Sequence, residues 1–438
     1  MTAQTGMILV EEALERVLSA IRPLPPARVP LSDADGLILA EDIRSAISIP
    51  PLPNSAMDGY AVRAEDVAGA RQDAPTTLPV IGEIAAGSPP EPPVTPGAAV
   101  RIMTGAPVPP GSDAIVRFED TDEEARRRDG ASLDSITIHA SPGAGASIRV
   151  AGEDVRAGDI VLTRGTELTP ARLGVLASIG MADAPVHPRP VVGIMASGNE
   201  IAAPGEDLAV GHIYDINTYT VQGLVRQMGA VPRPLGIARD TEDSVRRHAA
   251  LARETDLLIT SAGVSVGYYD LVKQVLQSLG DVHVWAVRMR PGKPVVFGVM
   301  RGTAQEPWDR GVPHLGLPGN PVSAMVVFHM LARPALRKMM GHASWESPSV
   351  TAVLDDPIHN EDGRRVYARA HVYRSEDGRM RAQLSGPQGS NILTAMARAN
   401  GLAICPEDVT HLDPGDETRV ELLGVTTISS VDAAPPLA

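Results

Sequence analysis

Between residues 189 and 341 the chain alternates apolar runs of strand length with segments of helical period, and this alternation constrains the fold most. Residues 191–195 (VVGIM) read as a buried strand, 217–228 as a helix and 230–238 as a strand. Asp240 or Thr241 then caps a helix to about residue 253, 256–260 is another strand and 270–279 another helix. Strands follow at 282–289 and 315–317, and a long helix starts at Pro321. Such an order predicts a doubly wound α/β domain. The pattern differs on either side. Val10, Ala13, Leu14, Val17, Leu18 and Ile21 repeat at helical spacing until Pro23 stops them. Prolines recurring from Pro23 to Pro53 mark an extended connector. Residues 54–150 hold short β-branched segments (78–84, 98–103, 114–118), which indicate a small β domain with 121–134 as a charged surface loop. Thr169 is placed to cap a helix with Pro170 in its first turn. Residues 349–421 return to short strands, as in a β-barrel, and the tail SSVDAAPPLA is expected to be disordered.

In an open α/β sheet, ligands bind outside the carboxyl ends of the strands. The strand at 191–195 runs into Ala196-Ser197-Gly198-Asn199-Glu200, and that at 230–238 into Arg239-Asp240. The strand at 256–260 runs into SAGVSVG (261–267), with Asp270 just beyond, and the last into Pro318-Gly319-Asn320-Pro321-Val322-Ser323. Small residues at helix starts expose backbone N–H groups that suit phosphate oxygens. Glu200, Asp240 and Asp270 are hard oxygen ligands of the kind Mg2+ takes. Arg288, Arg290 and Lys293 in RMRPGKP supply local positive charge. Singly, each feature has a plainer explanation: Asp240 and Asp270 as helix caps, Glu200 as a solvated loop residue, Asp58 and Thr104 as turn formers. Convergence of several loops on one edge is what favours a phosphorylated ligand and a divalent metal.

Several functions are disfavoured. A net charge of −14 and 3% aromatic residues argue against nucleic acid and anionic membranes as partners. No run approaches the roughly 18 apolar residues of a membrane span, and MTAQTGMILVEE is not a signal peptide, so a soluble cytoplasmic protein is expected. A single cysteine, Cys405, precludes an intrachain disulfide and a thiolate cage. P-loop, HExxH and post-strand GxGxxG motifs are absent. One competing motif remains: Gly263-Val264-Ser265-Val266-Gly267 matches the nucleophile elbow of a serine hydrolase, with His314 or His329 as base.

Taken together, NSAMDGYAVR (54–63), RIMTGAPVPPGSDAIV (101–116), AGED (151–154), SGNEI, IYDIN, SAGVSVG, RPGKP, LGLPGNPVSA and PQGSNIL resemble the molybdopterin molybdenumtransferase (MoeA) family, which includes the gephyrin E domain. The motifs follow one another in order over nearly the whole chain. The resemblance implies an elongated domain from residues 1–48 and 150–188, an inserted β domain at 49–149, an α/β domain resembling molybdopterin adenylyltransferase at 189–341 and a C-terminal β-barrel at 342–428, with 429–438 as a tail. It implies Mg2+-dependent insertion of molybdate into adenylated molybdopterin with release of AMP. Also implied is a homodimer whose sites are shared between subunits, with a molybdopterin adenylyltransferase and apo-molybdoenzymes as possible partners. A non-catalytic cofactor-binding scaffold is the alternative.

By motif, the catalytic candidates are Asp58, Thr104, Asp154, Glu200, Asp240, Asp270 and Arg290, with Glu200, Asp240 and Asp270 as metal ligands. Substrate contacts fall to Ser197, Gly198, Ser265, Lys293, Pro318, Asn320, Pro321, Ser323, Arg369 and Ser390. Two positions depart from the family pattern: Arg290 stands where relatives usually carry lysine, and Ala262 where they often carry glycine. With only Cys405 available, the sulfur that finally holds molybdenum must come from the substrate.

Overall fold

The computed structural model describes residues 6–261, 269–303 and 306–424. Ala262, Ser265 and the tail 429–438 lie outside the described residues, as does the side chain of Asp270. Two compact units divide the chain: Met1–Val29, Gly36–Ala40 and Pro185–Ala438 form one, Pro30–Asp35 and Glu41–Ala184 the other.

A seven-stranded sheet organises the first unit. Its strands run in the order Met7–Ile8, Gly280–Val287, Pro294–Gly302, Pro307–Leu317, Leu257–Ser261, Val191–Ser197, Val231–Ala238. The last four are mutually parallel. Side chains alternate across it: Ile194, Ile259, Phe297 and Leu317 share one buried cluster, Leu258, Val296 and Met300 another. Helices Asn217–Gln227 and Pro321–Val327 bury Val221, Val225, Val322 and Val326 on the first face. Helices Glu242–Ala250 and Tyr269–Leu279 bury Val245, Val272 and Leu276 on the second.

The sequence reading needs correction at two places. Residues 294–302 and 307–314, not read as strands, form an antiparallel hairpin that makes the sheet mixed. The helix from Pro321 is interrupted by a π-helical segment at Phe328–Ala332. The Val10–Ala20 helix packs Val10, Ala13 and Val17 into the same cluster as Val192 and Leu315 of the α/β sheet.

The closing module of this unit is a true barrel. Strands Arg365–Arg374, Met380–Leu384, Ser349–Leu354, Glu417–Leu422 and Gly401–Cys405 pair in sequence, and the last pairs back onto the first. Closure leaves no exposed edge among them. Met289–Arg290 adds a parallel pairing to Arg365–Arg374.

The second unit holds a five-stranded sheet, ordered Ser135–Ile138, Thr76–Ile84, Ala99–Ile102, Gly59–Val62, Ala114–Arg117. Tyr60, Val62, Ile136 and Ile138 are among its buried residues. Residues 121–134 are not simply a charged loop: Glu123–Arg128 is helical and Glu123 is buried. That burial is tolerated because Tyr60, Arg101 and Arg127 all donate to the Glu123 carboxylate, at 2.6, 2.9 and 2.7 Å. Thr169 stands at the N-cap of Pro170–Ser178 without a side-chain capping bond. Among the described residues no helix is long and apolar enough to cross a membrane.

Candidate active site

Four parallel strands end on one edge of the first unit's sheet, so their loops follow strand order. The chain runs from Val191–Ser197 out to Val231–Ala238, then crosses back to Leu257–Ser261 on the other side. The order therefore reverses beside the Val191–Ser197 strand, where an open α/β sheet forms its binding crevice. Ser197, buried, and Gly198 end that strand. Gly198 has φ +144°, and a Cβ there would fall 2.6 Å from Glu200 Oε2. The positive φ favours glycine at this turn, and any side chain there would make the Glu200 carboxylate swing aside.

Asp240 lies two residues beyond the end of the neighbouring strand. It does not cap the following helix: Thr241 Oγ1 accepts the Ser244 N–H and takes that role. Asp240 Oδ2 instead accepts the Asn199 N–H at 3.1 Å, and Asn199 Oδ1 accepts the Asp240 N–H at 3.1 Å. Arg239 Nη1 donates to the Asn199 and Ile201 carbonyls at 3.2 and 2.9 Å. Sequence reasoning missed Arg239; its only signal was adjacency to Asp240. Together these bonds hold Glu200 and Asp240 on one exposed to half-buried ledge.

Two strands along the edge, Pro318 is buried and Gly319 and Asn320 are exposed. Asn217, from IYDIN, donates through Nδ2 to the Gly319 carbonyl at 2.7 Å. Asn320 occupies the N-cap of the helix begun by Pro321, yet its side chain makes no capping bond. Its Nδ2 reaches Ser390 Oγ at 3.0 Å instead, joining the Pro-Gly-Asn-Pro loop to the barrel. Ser323 is buried in the first turn. Arg369 is also buried, 1% exposed, and its Nη2 donates to the Pro387 and Gly389 carbonyls. Burial pushes its guanidinium down to about 10. Arg369 thus braces the loop that carries Ser390. Gln388 completes the brace, accepting the Arg369 N–H at 2.8 Å and donating to the Gly386 carbonyl at 2.8 Å.

The basic run meets the barrel. Arg288 Nε donates to the Gly363 carbonyl at 2.7 Å and Arg290 Nη2 to the His359 carbonyl at 2.6 Å, while Lys293 is exposed. Arg290 spends part of its fork on protein where a lysine would offer a single point charge.

In the second unit, Asp58 Oδ1 accepts both the backbone N–H and the hydroxyl of Thr104, at 2.7 and 2.8 Å. These two bonds, the backbone one first, hold its carboxyl below the ordinary aspartate range against the opposing effect of burial. Gly59 follows because a Cβ there would fall 2.0 Å from the Val116 carbonyl oxygen. Asp154 is exposed, and its N–H donates to the Ile49 carbonyl at 3.0 Å.

Neither proposed hydrolase base is presented to a substrate. His314 is fully buried with Nε2 2.9 Å from Thr260 Oγ1, and desolvation pushes it down to about 3. His329 is buried against Glu421 at 3.1 Å. Among the described residues no three His, Cys, Asp or Glu side chains converge as metal ligands. Glu200 and Asp240 bring two carboxylates to one ledge, and Asp270 is the second residue of its helix. All-oxygen donors of this kind fit Mg2+ and do not fit a soft metal.

Residues 8–180 match the MoeA N-terminal region (domain I and II), 193–338 a probable molybdopterin binding domain, and 351–423 the MoeA C-terminal region (domain IV). The chain is similar to Molybdopterin molybdenumtransferase of Haemophilus influenzae, 35% identical over 95% of this chain and 98% of that protein. It is similar to Molybdopterin molybdenumtransferase 2 of Mycobacterium tuberculosis, 40% identical over 94% of this chain and 98% of that one. The crystal structure of a molybdopterin biosynthesis MoeA protein from Pyrococcus horikosii superposes with a TM-score of 0.79 at 31% identity, covering 95% of this chain and 99% of that one.

Proposed function

The chain belongs to the MoeA family, and from that premise we propose that it is a molybdopterin molybdenumtransferase that inserts molybdate into adenylated molybdopterin with Mg2+-dependent release of AMP. The observation that carries this proposal is the ledge at the strand-order reversal, where Glu200 and Asp240 flank a glycine turn tied together by Arg239. Glu200, Asp240 and Asp270 would hold Mg2+, which supplies charge neutralisation at phosphate oxygens when bound. The protein's own part is positioning. Backbone N–H groups beside the glycine turn and at helix starts orient the phosphates. Lys293 and the Asn320–Ser390 pair offer a cation and hydrogen-bond donors to oxyanions. Cys405 is buried and desolvation raises its thiol, so it supplies no thiolate and the dithiolene stays the sulfur donor. Asp58, Thr104 and Asp154 belong to the proposed machinery on motif grounds.

The proposal extends to a cytoplasmic homodimer fed by a molybdopterin adenylyltransferase and serving apo-molybdoenzymes. The test combines protein, Mg2+, molybdate and adenylated molybdopterin. AMP release that needs molybdate, with a product that activates a cofactor-free molybdoenzyme, is expected. Folded protein without molybdate-dependent AMP release would leave only a binding scaffold.

A further inference from the structure

The barrel module carries a side-chain cluster that the proposed reaction does not use. Strand Ile358–His359 pairs antiparallel with His411–Leu412, and the register sets His359 directly opposite His411. Their Nδ1 atoms lie 2.9 Å apart, and the rings stack with centroids 4.6 Å apart and planes 29° from parallel. His411 Nε2 is 2.6 Å from Asp413 Oδ1. Both imidazoles are exposed.

The partners assign the protons. A carboxylate only accepts, so His411 Nε2 carries hydrogen and, in the neutral ring, Nδ1 is a lone pair. His359 Nδ1 must then supply the single hydrogen between the rings. Once His359 passes that hydrogen to solvent and takes one up at its Nε2, the ring stays neutral and a cation finds two imidazole lone pairs side by side. We propose that His359 and His411 form a two-imidazole site for a transition-metal dication, Cu2+ above all, with Asp413 orienting His411 from behind.

The metal class follows from the spacing. With metal–nitrogen bonds of about 2.0 Å, nitrogens 2.9 Å apart subtend roughly 90° at the ion. That is the cis angle of tetragonal Cu2+ or Ni2+; tetrahedral Zn2+ would need the nitrogens about 3.3 Å apart. Affinity for nitrogen donors peaks at Cu2+ among the first-row dications. Mg2+ prefers oxygen and would not compete. A carboxylate on the distal imidazole nitrogen is the usual outer partner of a metal-bound histidine. The His359 carbonyl, held by Arg290 Nη2 at 2.6 Å, fixes the backbone on the other side.

The experiment titrates the full-length, tag-free protein with Cu2+ in excess Mg2+, by calorimetry and electron paramagnetic resonance. One tight Cu2+ per chain is expected, with hyperfine splitting from two nitrogens and weaker binding of Ni2+ and Zn2+. His359→Ala or His411→Ala should abolish the two-nitrogen signal. Asp413→Ala should weaken binding by about 10–100-fold. All three side chains are exposed, so circular dichroism melts should match wild type. Stoichiometric Cu2+ binding unchanged in either histidine variant, or no stoichiometric binding in wild type, overturns the site. Neither result depends on the transferase activity.

Discussion

At the level of single residues, the Asp58–Thr104 pair makes a prediction about charge. The Thr104 backbone N–H is the larger cause of the depressed Asp58 pKa and the hydroxyl the smaller. Thr104→Val keeps the first and deletes the second. The Asp58 carboxyl, followed by NMR, should therefore rise in the variant and still stay below an ordinary aspartate. The sign for stability follows from linkage. A carboxylate depressed in the folded state stabilises above its unfolded pKa, and that contribution is lost as pH falls through the folded value. The variant should be less stable than wild type near neutrality, by less than about 1 kcal/mol because the pair is exposed, and the gap should close in acid. A gap that widens in acid contradicts the assignment. Glu200 makes the second prediction. Glu200→Gln keeps the size and removes the charge, so substrate should still bind while AMP release falls steeply. Gly198→Ala should imitate it, because the added Cβ displaces the Glu200 carboxylate. Loss of substrate binding with unchanged Mg2+ dependence in both variants would remove the metal role. Glu200, Asp240 and Asp58 were legible because each sits within a motif or at a strand end. Arg239, Gln388 and Glu123 were not, because their roles depend on partners 19 to 63 residues away in sequence.

At the level of elements, strand-to-loop transitions were readable wherever an apolar run ended in Gly, Ser or a carboxylate. The hairpin of Pro294–Gly302 and Pro307–Leu317 was missed for a physical reason. Its turn-proximal half is polar, and exposed Arg301, Asp309 and Arg310 hide the continuous buried run that begins only at Val312. The loop before Leu393–Arg398 could not be read as part of the site from pattern alone, since its shape depends on a buried arginine in a distant strand. Gln388 gives the third prediction. Its amide makes three hydrogen bonds that tie the loop to Arg369 and Gly386. Gln388→Ala should cost about 1–3 kcal/mol and speed hydrogen exchange across residues 386–392. Because that loop positions Ser390 for Asn320, KM for the adenylated substrate should rise more than kcat falls. Unchanged exchange in the loop would show that Arg369 alone holds it.

For the molecule as a whole, the alternation at 189–341 and the short strands on either side foretold several β and α/β modules, but not which segments share a core. Core membership is set by long-range packing: the Val10–Ala20 helix joins strands nearly 200 residues later in the chain, from Val192 onward, and its 3.6-residue period is the same whichever partner it finds. Each unit owns separate buried clusters, one including Ile136 and Ile138, another including Ile194 and Leu317. Separate cores predict departure from a single two-state transition. The chain's 3 tryptophans, Trp285, Trp308 and Trp345, all fall in the unit containing Pro185–Ala438, so their fluorescence reports that unit alone. Far-UV circular dichroism reports both. Ile136 is fully buried, and Ile136→Ala should destabilise its own unit by about 2–5 kcal/mol. In a urea titration the dichroism should then acquire an early phase while the tryptophan midpoint stays at the wild-type value. Adding AMP with Mg2+ should raise the tryptophan midpoint and leave the early phase where it is, since the nucleotide is expected at the Glu200–Asp240 ledge. A tryptophan midpoint that moves with Ile136→Ala by the same amount as the dichroism would mean that the two cores unfold as one.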